Sequence, residues 1–351
     1  MQTSIVELLK YAVQERASDL HVSVGLPPIL RVTGELRTLS GDPLAAQDAE
    51  NMVRDVLTDP QWATLQERGE YDLSYSLPGV SRFRVNAFRQ RGCYSLAVRI
   101  VPARVPDFAQ LGLPAAVRSF ADRERGLLLV TGPTGSGKST TLASLIDYIN
   151  HNQKRHIITL EDPIEYLHRH EQSVVDQREI GSDTQSFATG LRAALRQDPD
   201  VLLVGEMRDL ETITTAITAA ETGHLVLTTL HTPDAPQSID RVIDVFPPGQ
   251  QQQIRFQLAS VLLGILSQRL LQSADGRSRV ALAEVLVNTP AVANLVRTEK
   301  VHQIRTAMQT GKAFGMQTME MALRELWQAR RISEAQYRQH AAEWSSAVYN
   351  V

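Results

Sequence analysis

What this chain lacks narrows its function before any motif is considered. It has a single cysteine, Cys93, which by itself can form neither an internal disulfide nor a zinc site built from cysteines. No run of residues approaches the roughly 18 uncharged apolar positions of a membrane-spanning helix, and the best apolar stretch covers only 258–266. The N-terminal residues lack the apolar core of a signal peptide. We therefore expect a cytoplasmic protein that associates with the inner membrane only through protein partners.

The net charge of the chain bears on whether its partner is a nucleic acid. The formal net charge is −3, so the chain has no overall basic field that would attract nucleic acid. This argues against a nucleic-acid translocase, although a ring can concentrate basic residues in a pore.

The most informative stretch that is present is the glycine-rich segment 132–140. Its residues are Gly132, Pro133, Thr134, Gly135, Ser136, Gly137, Lys138, Ser139 and Thr140. They match the phosphate-binding loop pattern G-x-x-x-x-G-K-[ST] at every fixed position, between an apolar run that predicts a strand and a segment that predicts a helix. In such a loop Lys138 reaches the β- and γ-phosphates and the Ser139 hydroxyl ligates Mg²⁺. ATP and Mg²⁺ are the expected cofactors.

Apolar patterning predicts an α/β protein of two domains. Residues 1–100 alternate short predicted helices and strands, which indicates a smaller α+β domain. Residues 101–112 contain prolines in a non-periodic stretch and are interpreted as a linker. Residues 113–271 alternate apolar strands with helices, which predicts an ATPase core with a mostly parallel sheet. Residues 272–351 are expected to be helical, and helices are predicted over 250–271, 290–309 and 316–337.

Acidic residues follow two of the predicted strands. Glu206 ends the apolar run 200–206, where an acid that coordinates Mg²⁺ or orients water belongs. Glu161 ends another run and is a candidate general base for the attacking water. Asp162 and Glu165 follow it and would support the base or the metal shell. The alternative is that these acids only cap solvated turns.

Two histidines bracket a further predicted strand. His231 lies at its outgoing end, where it could sense or donate to the γ-phosphate, whereas His224 lies at the incoming end and is assigned a structural or interfacial role. A strand of this length separates the two rings by roughly 20 Å, which excludes a shared metal ion.

The four segments GPTGSGKST, ITLEDPIEY, DVLLVGEMRD and TGHLVLTTLHT occur in this order. Together with ASDLHVSVGLPPILRVTGEL and SRFRVNAF in the first domain, they make the chain similar to the secretion-ATPase superfamily of hexameric motors, and within it to the pilus-retraction branch. The resemblance implies a RecA-like core after a PAS-like domain. It makes Glu161 the base, Glu206 the Walker B acid, and His231 the γ-phosphate-facing histidine with His224 as companion.

The resemblance also implies residues and partners outside this core. Such motors place the nucleotide between the two domains, so the candidate arginine fingers are Arg82 and Arg84, which share one face of a predicted strand. Arg196 and Arg241 are weaker candidates. The expected partners are five further copies in a homohexamer, an inner-membrane pilus platform protein and paralogous pilus ATPases, with no zinc.

One segment departs from the pattern of the retraction branch. Residues 291–298 match a family segment that is needed for retraction rather than hydrolysis. Asn294, Leu295 and Arg297 agree with it, but Ala293 and Thr298 replace an arginine and a glutamate. The expected function is an ATP-driven motor for pilus retraction, and the alternative is an accessory or divergent paralogue.

Overall fold

The computed structural model describes residues 4–102 and 104–348 of the 351-residue chain. These residues form two compact units. The first runs to Arg104 and includes Pro163–Leu167, and the second begins at Val105 and contains the remainder. Within these ranges no helix is both long and apolar enough to cross a membrane.

The first unit is built on an antiparallel sheet. Its helices are α1 (Ile5–Gln14), α2 (Ala46–Val56) and α3 (Asp59–Arg68), and its strands are β1 (Asp19–Val22), β2 (Ile29–Val32), β3 (Glu35–Thr38), β4 (Glu70–Leu77), β5 (Ser81–Gln90) and β6 (Cys93–Ile100). The strand order is β3-β2-β1-β6-β5-β4. Along β5 the buried Phe83, Val85 and Ala87 alternate with Arg82 and Arg84, because successive side chains point to opposite faces. The PAS-like description of this unit stays a prediction.

The second unit carries the phosphate-binding loop on a larger sheet. Its strands are β7 (Gly126–Thr131), β8 (His156–Glu161), β9 (Val174–Glu179), β10 (Val201–Val204), β11 (Leu225–Leu230), β12 (Leu262–Gln272) and β13 (Arg279–Val287). Its helices are α4 (Ala115–Ala121), α5 (Lys138–Asn152), α6 (Phe187–Ala194), α7 (Leu210–Glu221), α8 (Ala235–Asp244), α9 (Pro248–Val261), α10 (Pro290–Arg297), α11 (Ile304–Thr310), α12 (Met319–Gln328) and α13 (Glu334–Val348).

This second sheet is almost entirely parallel. Its strand order is β13-β12-β7-β11-β10-β8-β9, and only β12 and β13 pair antiparallel. Every residue of β7, β10 and β11 is buried, since helices cover both faces of the sheet. The predicted mixed α/β fold with a mostly parallel sheet is confirmed.

The C-terminal part is less helical than expected. The helix predicted over 250–271 ends at Val261, and Leu262 begins strand β12. A second strand, β13, lies within the region 272–351 that was expected to be helical. The other two predicted helices are each interrupted, at residues 298–303 and 329–333. Gly264 is a residue of strand β12 that the helix prediction did not account for. A Cβ at this position would lie 2.4 Å from Cζ of Phe120, so the close approach of the strand to Phe120 requires glycine.

Strand β13 also carries a buried acid. Burial raises the pKa of Glu284 from 4.5 to about 7, the hydrogen bond from the Ala235 N–H opposes this rise, and the charge of Asp234 adds to it. Between these two pH values the folded chain retains a proton that the unfolded chain has released. The stabilising contribution of Glu284 is therefore full below pH 4.5 and is lost as pH rises through about 7.

Replacing Glu284 with glutamine should remove this pH dependence. The shift from 4.5 to about 7 corresponds to about 3 kcal/mol of unfolding free energy. Between pH 4.5 and 7.5 the stability of the wild type should fall relative to that of Glu284→Gln by up to this amount, since the other titrating groups are common to both proteins. Denaturant melts across this range measure the difference. The charge of Glu320 is only a minor cause of the raised pKa, so the control Glu320→Gln should keep most of the wild-type slope; identical slopes in all three proteins would contradict the assignment.

Candidate functional site

The predicted site residues of the second unit follow neighbouring strands whose ends coincide. Leu230 of β11 lies opposite Thr131 of β7, and Val204 of β10 lies opposite Thr228 of β11 and Leu160 of β8. The next residues along these parallel strands are therefore at one edge. The loop 132–140, Glu161, Glu206 and His231 all lie at this carboxyl edge, where functional sites are expected in an open parallel sheet.

The loop wraps around the first turn of α5. Lys138 is buried, and its Nζ donates hydrogen bonds to the backbone oxygens of Gly132 at 2.8 Å and Pro133 at 3.1 Å. Gly137, just before the helix, has a φ of +91°, a left-handed conformation that favours glycine. This curl directs N–H groups at the helix start towards a common point, which suits an anion.

The donors present fit a nucleotide phosphate. Ser136 Oγ is buried and has no hydrogen-bond partner within the described residues. A buried hydroxyl without a partner costs free energy unless a ligand satisfies it. Ser139 is exposed at the first turn of α5, so its hydroxyl is accessible to a cation that accompanies the phosphates.

Strand β12 forms a side of this loop that the sequence did not indicate. Its Ser267 accepts a hydrogen bond from Thr131 Oγ1 at 3.0 Å, and the buried Gln268 accepts one from Thr141 Oγ1 at 2.9 Å. The backbone oxygen of Gln268 lies so near Gly132 that a Cβ there would be 2.2 Å from it. Gln268 thus supports both ends of the loop. The signal was present in Ser267 and Gln268, two polar residues in an apolar run, but that run had been assigned to a helix.

Replacing Gln268 with leucine should weaken nucleotide binding. The change removes the acceptor of Thr141 in the buried first turn of α5, a loss of about 1–3 kcal/mol. We expect KM for ATP to rise about tenfold with a smaller effect on kcat. Steady-state ATPase kinetics measure this. The control Gln272→Leu, at the exposed end of the same strand, should behave as wild type; equal effects of the two changes would show that Gln268 has no specific role.

Glu206 makes two polar contacts at the centre of the edge. Its Oε2 lies 2.6 Å from Arg208 Nη2, and its Oε1 lies 3.3 Å from His231 Nε2. The backbone beneath it is fixed, since the Gly205 N–H donates to Leu160 O at 2.8 Å and Thr229 Oγ1 donates to Gly205 O. The structure thus brings Glu206 and His231 together and adds Arg208, which the sequence analysis had missed.

These contacts set the protonation of Glu206. Burial raises the pKa of Glu206, but the hydrogen bond from Arg208 and the charge of His231 outweigh burial, and the pKa is lowered overall. A carboxylate with a lowered pKa stays charged at neutral pH and is a weak proton acceptor. Glu206 is therefore better suited to hold a cation or orient a donor than to act as a base.

Glu161 has a different environment at the end of β8. Its Oε1 accepts hydrogen bonds from Thr159 Oγ1 at 2.6 Å and Gln177 Nε2 at 3.2 Å. Both are neutral donors, and they fix the orientation of the carboxylate. Asp162 follows as an exposed residue, and its charge contributes to the raised pKa of Arg208, after the larger effects of Glu206. Glu165 is exposed and belongs to the first unit.

Three of the other candidates lie away from these groups. His224 precedes β11 at the amino edge, where its Nδ1 lies 2.9 Å from Ala219 O at the end of α7. The exposed Arg196 precedes β10 at the same amino edge. Arg241 is exposed in the last turn of α8. The structure does not bring these three residues to the carboxyl edge.

In the first unit, Arg82 and Arg84 lie on the face of β5 opposite its buried residues. Nη1 of Arg82 lies 3.3 Å from Ser76 Oγ, and Arg84 is exposed and pairs in register with Arg99 of β6.

The segment 291–298 covers most of helix α10 and Thr298, the residue that follows it. Ala293 is buried, Leu295 is half-buried and Asn294 is exposed. Arg297 Nε donates to Ala293 O at 3.3 Å, and Thr298 Oγ1 donates to Asn294 O at 2.8 Å, so both side chains bond within their own helix.

The parallel sheet, its loop and the acids at its carboxyl edge define a P-loop ATPase. The model of the family described as "Type II/IV secretion system protein" matches residues 1–348. The chain is 47% identical over 337 residues to the type IV pilus retraction ATPase PilT of Pseudomonas aeruginosa, a match that covers 96% of this chain and 98% of that one. It is 40% identical over 321 residues to the type IV pilus ATPase PilU of the same species, covering 92% and 84%.

A solved structure agrees with these matches. The crystal structure of the pilus retraction motor PilT with bound ADP has a TM-score of 0.88 to this chain at 46% identity, and 96% of each chain is covered. The chain belongs to the type II/IV secretion system protein family, and the resemblance to its pilus-retraction branch is confirmed.

Proposed function

We propose that this chain is an ATP-hydrolysing motor that drives retraction of a type IV pilus, and hence twitching motility. One observation carries the proposal. The phosphate-binding loop, Glu161, Glu206 and His231 converge on one edge of the sheet, in a chain that matches a pilus retraction ATPase over nearly its whole length.

Binding of the triphosphate rests on the loop and its helix. Lys138 would move from the carbonyls of Gly132 and Pro133 to the β- and γ-phosphates, and Ser136 Oγ would gain a partner there. Ser139 and Glu206 would hold Mg²⁺, which supplies positive charge to balance the phosphates. The lowered pKa of Glu206 keeps it anionic for this role.

Hydrolysis requires a base and a group that faces the γ-phosphate. Glu161 would accept the proton of the attacking water, while Thr159 and Gln177 fix its orientation. His231, held against Glu206, would donate to the γ-phosphate, and Asp162 would support this cluster through Arg208. Arg82 and Arg84 are the proposed arginine fingers, because both are cations on the face of β5 opposite its buried residues.

Mechanical work would follow from assembly. We propose a homohexamer in which hydrolysis drives rigid-body rotation of one domain against the other, with residues 101–112 as the hinge. The ring would act at the cytoplasmic side of the inner membrane, on a pilus platform protein and beside paralogous ATPases. Glu165, His224, Arg196 and Arg241 are assigned to support or interfaces within this assembly.

Deleting the gene in its host tests the function. We expect surface pili to accumulate and twitching to stop, with recovery after complementation by wild type and none by Lys138→Ala. Electron microscopy counts the pili, and purified protein measures hydrolysis with and without DNA. Normal twitching in the deletion strain, or hydrolysis that requires DNA, would contradict the proposal.

An accessory motor is the second candidate, favoured by Ala293 and Thr298 in helix α10. Expression of this chain as the sole retraction ATPase decides between the two. Restored retraction supports a complete motor, whereas hydrolysis without retraction supports an accessory paralogue. In the second case, Ala293→Arg combined with Thr298→Glu tests whether the altered segment is responsible.

A further inference from the structure

The buried Glu284 lies in the same row of the sheet as the hydrolytic site. Leu230 is opposite Thr131, Thr131 is opposite Ser267, and Ser267 is opposite Glu284. The row begins next to His231 and ends at Glu284 on the outermost strand, β13. Residues directly opposite each other share a face of the sheet, so Glu284 points to the side that Thr131 and Ser267 occupy.

Glu284 accepts a hydrogen bond from the start of a helix. Its Oε1 accepts from the N–H of Ala235, the first residue of α8, at 2.9 Å, and the backbone of Met319, the first residue of α12, lowers the pKa of the same carboxylate to a smaller extent. Glu284 and Ala235 are both buried. Water therefore cannot replace the carboxylate, and its loss would leave a helix-start N–H group without a partner.

The start of α8 is tied to the loop that carries His231. Only residues 232–234 separate His231 from Ala235. Within them, Thr232 Oγ1 lies 2.6 Å from Ser238 Oγ in the first turns of α8, and Ser238 Oγ donates to Asp234 O at 2.6 Å. Asp234 Oδ1 in turn accepts from the Gln237 N–H. A displacement at the start of α8 is thus transmitted to Thr232, the neighbour of His231.

We propose that Glu284 is a positioning residue of the hydrolytic site, which holds His231 against Glu206 by anchoring the start of α8. This rests on the proposed function, in which His231 faces the γ-phosphate. The loop 132–140 has separate supports in Ser267 and Gln268. Glu284 therefore acts on the hydrolytic step rather than on nucleotide binding.

The test compares Glu284→Leu, which removes both acceptor oxygens, with the control Glu320→Gln, which removes a carboxylate charge close by but leaves the contact between Ala235 and Glu284 in place. In the full chain with ATP and Mg²⁺, we expect Glu284→Leu to lower kcat about tenfold while KM for ATP stays within about twofold. Glu320→Gln should match wild type. Ala235→Pro, which removes the donor and keeps Glu284, should reproduce the loss of kcat, since proline is tolerated at the first position of a helix.

A double-mutant cycle with His231→Ala separates positioning from a general loss of stability. If Glu284 acts through His231, Glu284→Leu should cause no further loss of kcat in the His231→Ala background. A second, equal loss there would overturn the proposal, as would wild-type kcat in both Glu284→Leu and Ala235→Pro. His231→Ala at wild-type kcat would refute the role of His231 and the proposal with it. A slow His231→Ala beside an unaffected Glu284→Leu would refute only the role of Glu284.

Hydrogen exchange of the same proteins gives a readout other than activity. Peptides covering 231–240 should exchange faster in Glu284→Leu than in Glu320→Gln, whereas peptides covering 132–145 should not change. Unchanged exchange over 231–240 would contradict the anchoring.

Discussion

Replacing Lys138 with alanine is expected to lower ATP hydrolysis about 1,000-fold, the scale on which a single preorganised donor acts on developing charge. Lys138 is a buried cation at the start of α5, and its Nζ also ties the two ends of the loop through Gly132 and Pro133. Alanine removes the charge that the phosphates need and the cross-link that shapes the loop. Release of inorganic phosphate measures the rate, and equilibrium binding of a fluorescent ADP analogue measures the binding defect.

Lys154→Ala is the matched control, since Lys154 is exposed just beyond the C-terminal end of α5. It removes the same charge from the chain and should hydrolyse ATP at the wild-type rate. Normal turnover in Lys138→Ala would sink the assignment of the loop as the phosphate site.

Glu161→Gln is expected to bind ATP and to hydrolyse it about 1,000-fold more slowly, within the range of 10²–10⁴ that a general base contributes. Glutamine has nearly the shape of glutamate, and its Oε1 still accepts from Thr159 and Gln177. What is lost is the ability to take a proton from water. Acid quenching and chromatography of the bound nucleotide should find ATP in the variant and mainly ADP in wild type.

Two controls assign the effect to Glu161. The exposed Glu171→Gln should turn over normally, and Asp162→Asn should lose less activity than Glu161→Gln because Asp162 acts through Arg208. If Asp162→Asn is the slower of the two variants, Asp162 rather than Glu161 is the base.

The catalytic edge could be predicted because each part is local in the sequence. An apolar strand followed directly by an acid or by a glycine-rich loop is a continuous pattern, and parallel strands bring such ends together. The four sequence segments therefore already indicate which residues meet at the carboxyl edge of the sheet. The partners of these groups were harder to find. Arg208 follows Glu206 by two residues, yet nothing in its own type distinguishes it from a solvated surface cation.

The hairpin of β12 and β13 could not be predicted from local pattern. Leucine, glutamine and arginine are good helix formers, and the segment 262–272 contains mainly these residues. Pairing with β7 on one side and β13 on the other outweighs that preference, because the segment is nearly all buried and its backbone groups need partners. With β12 assigned to a helix, the contacts of Gln268 with the phosphate-binding loop and the position of Glu284 were also missed.

The pairing of β7 with β12 has a consequence for the protein during its synthesis. Thr131 and Ser267 bond across 136 positions of sequence, and Gln268 lies against a loop made more than 120 residues earlier. A ribosome that has translated residues 1–250 has already released the complete loop motif without the strand that supports it. Long-range contacts of this kind form late, after the chain that joins them is available. An unfinished chain would therefore carry the motif but lack a competent nucleotide pocket, and hydrolysis of ATP would begin only once the hairpin near the C-terminus had been made.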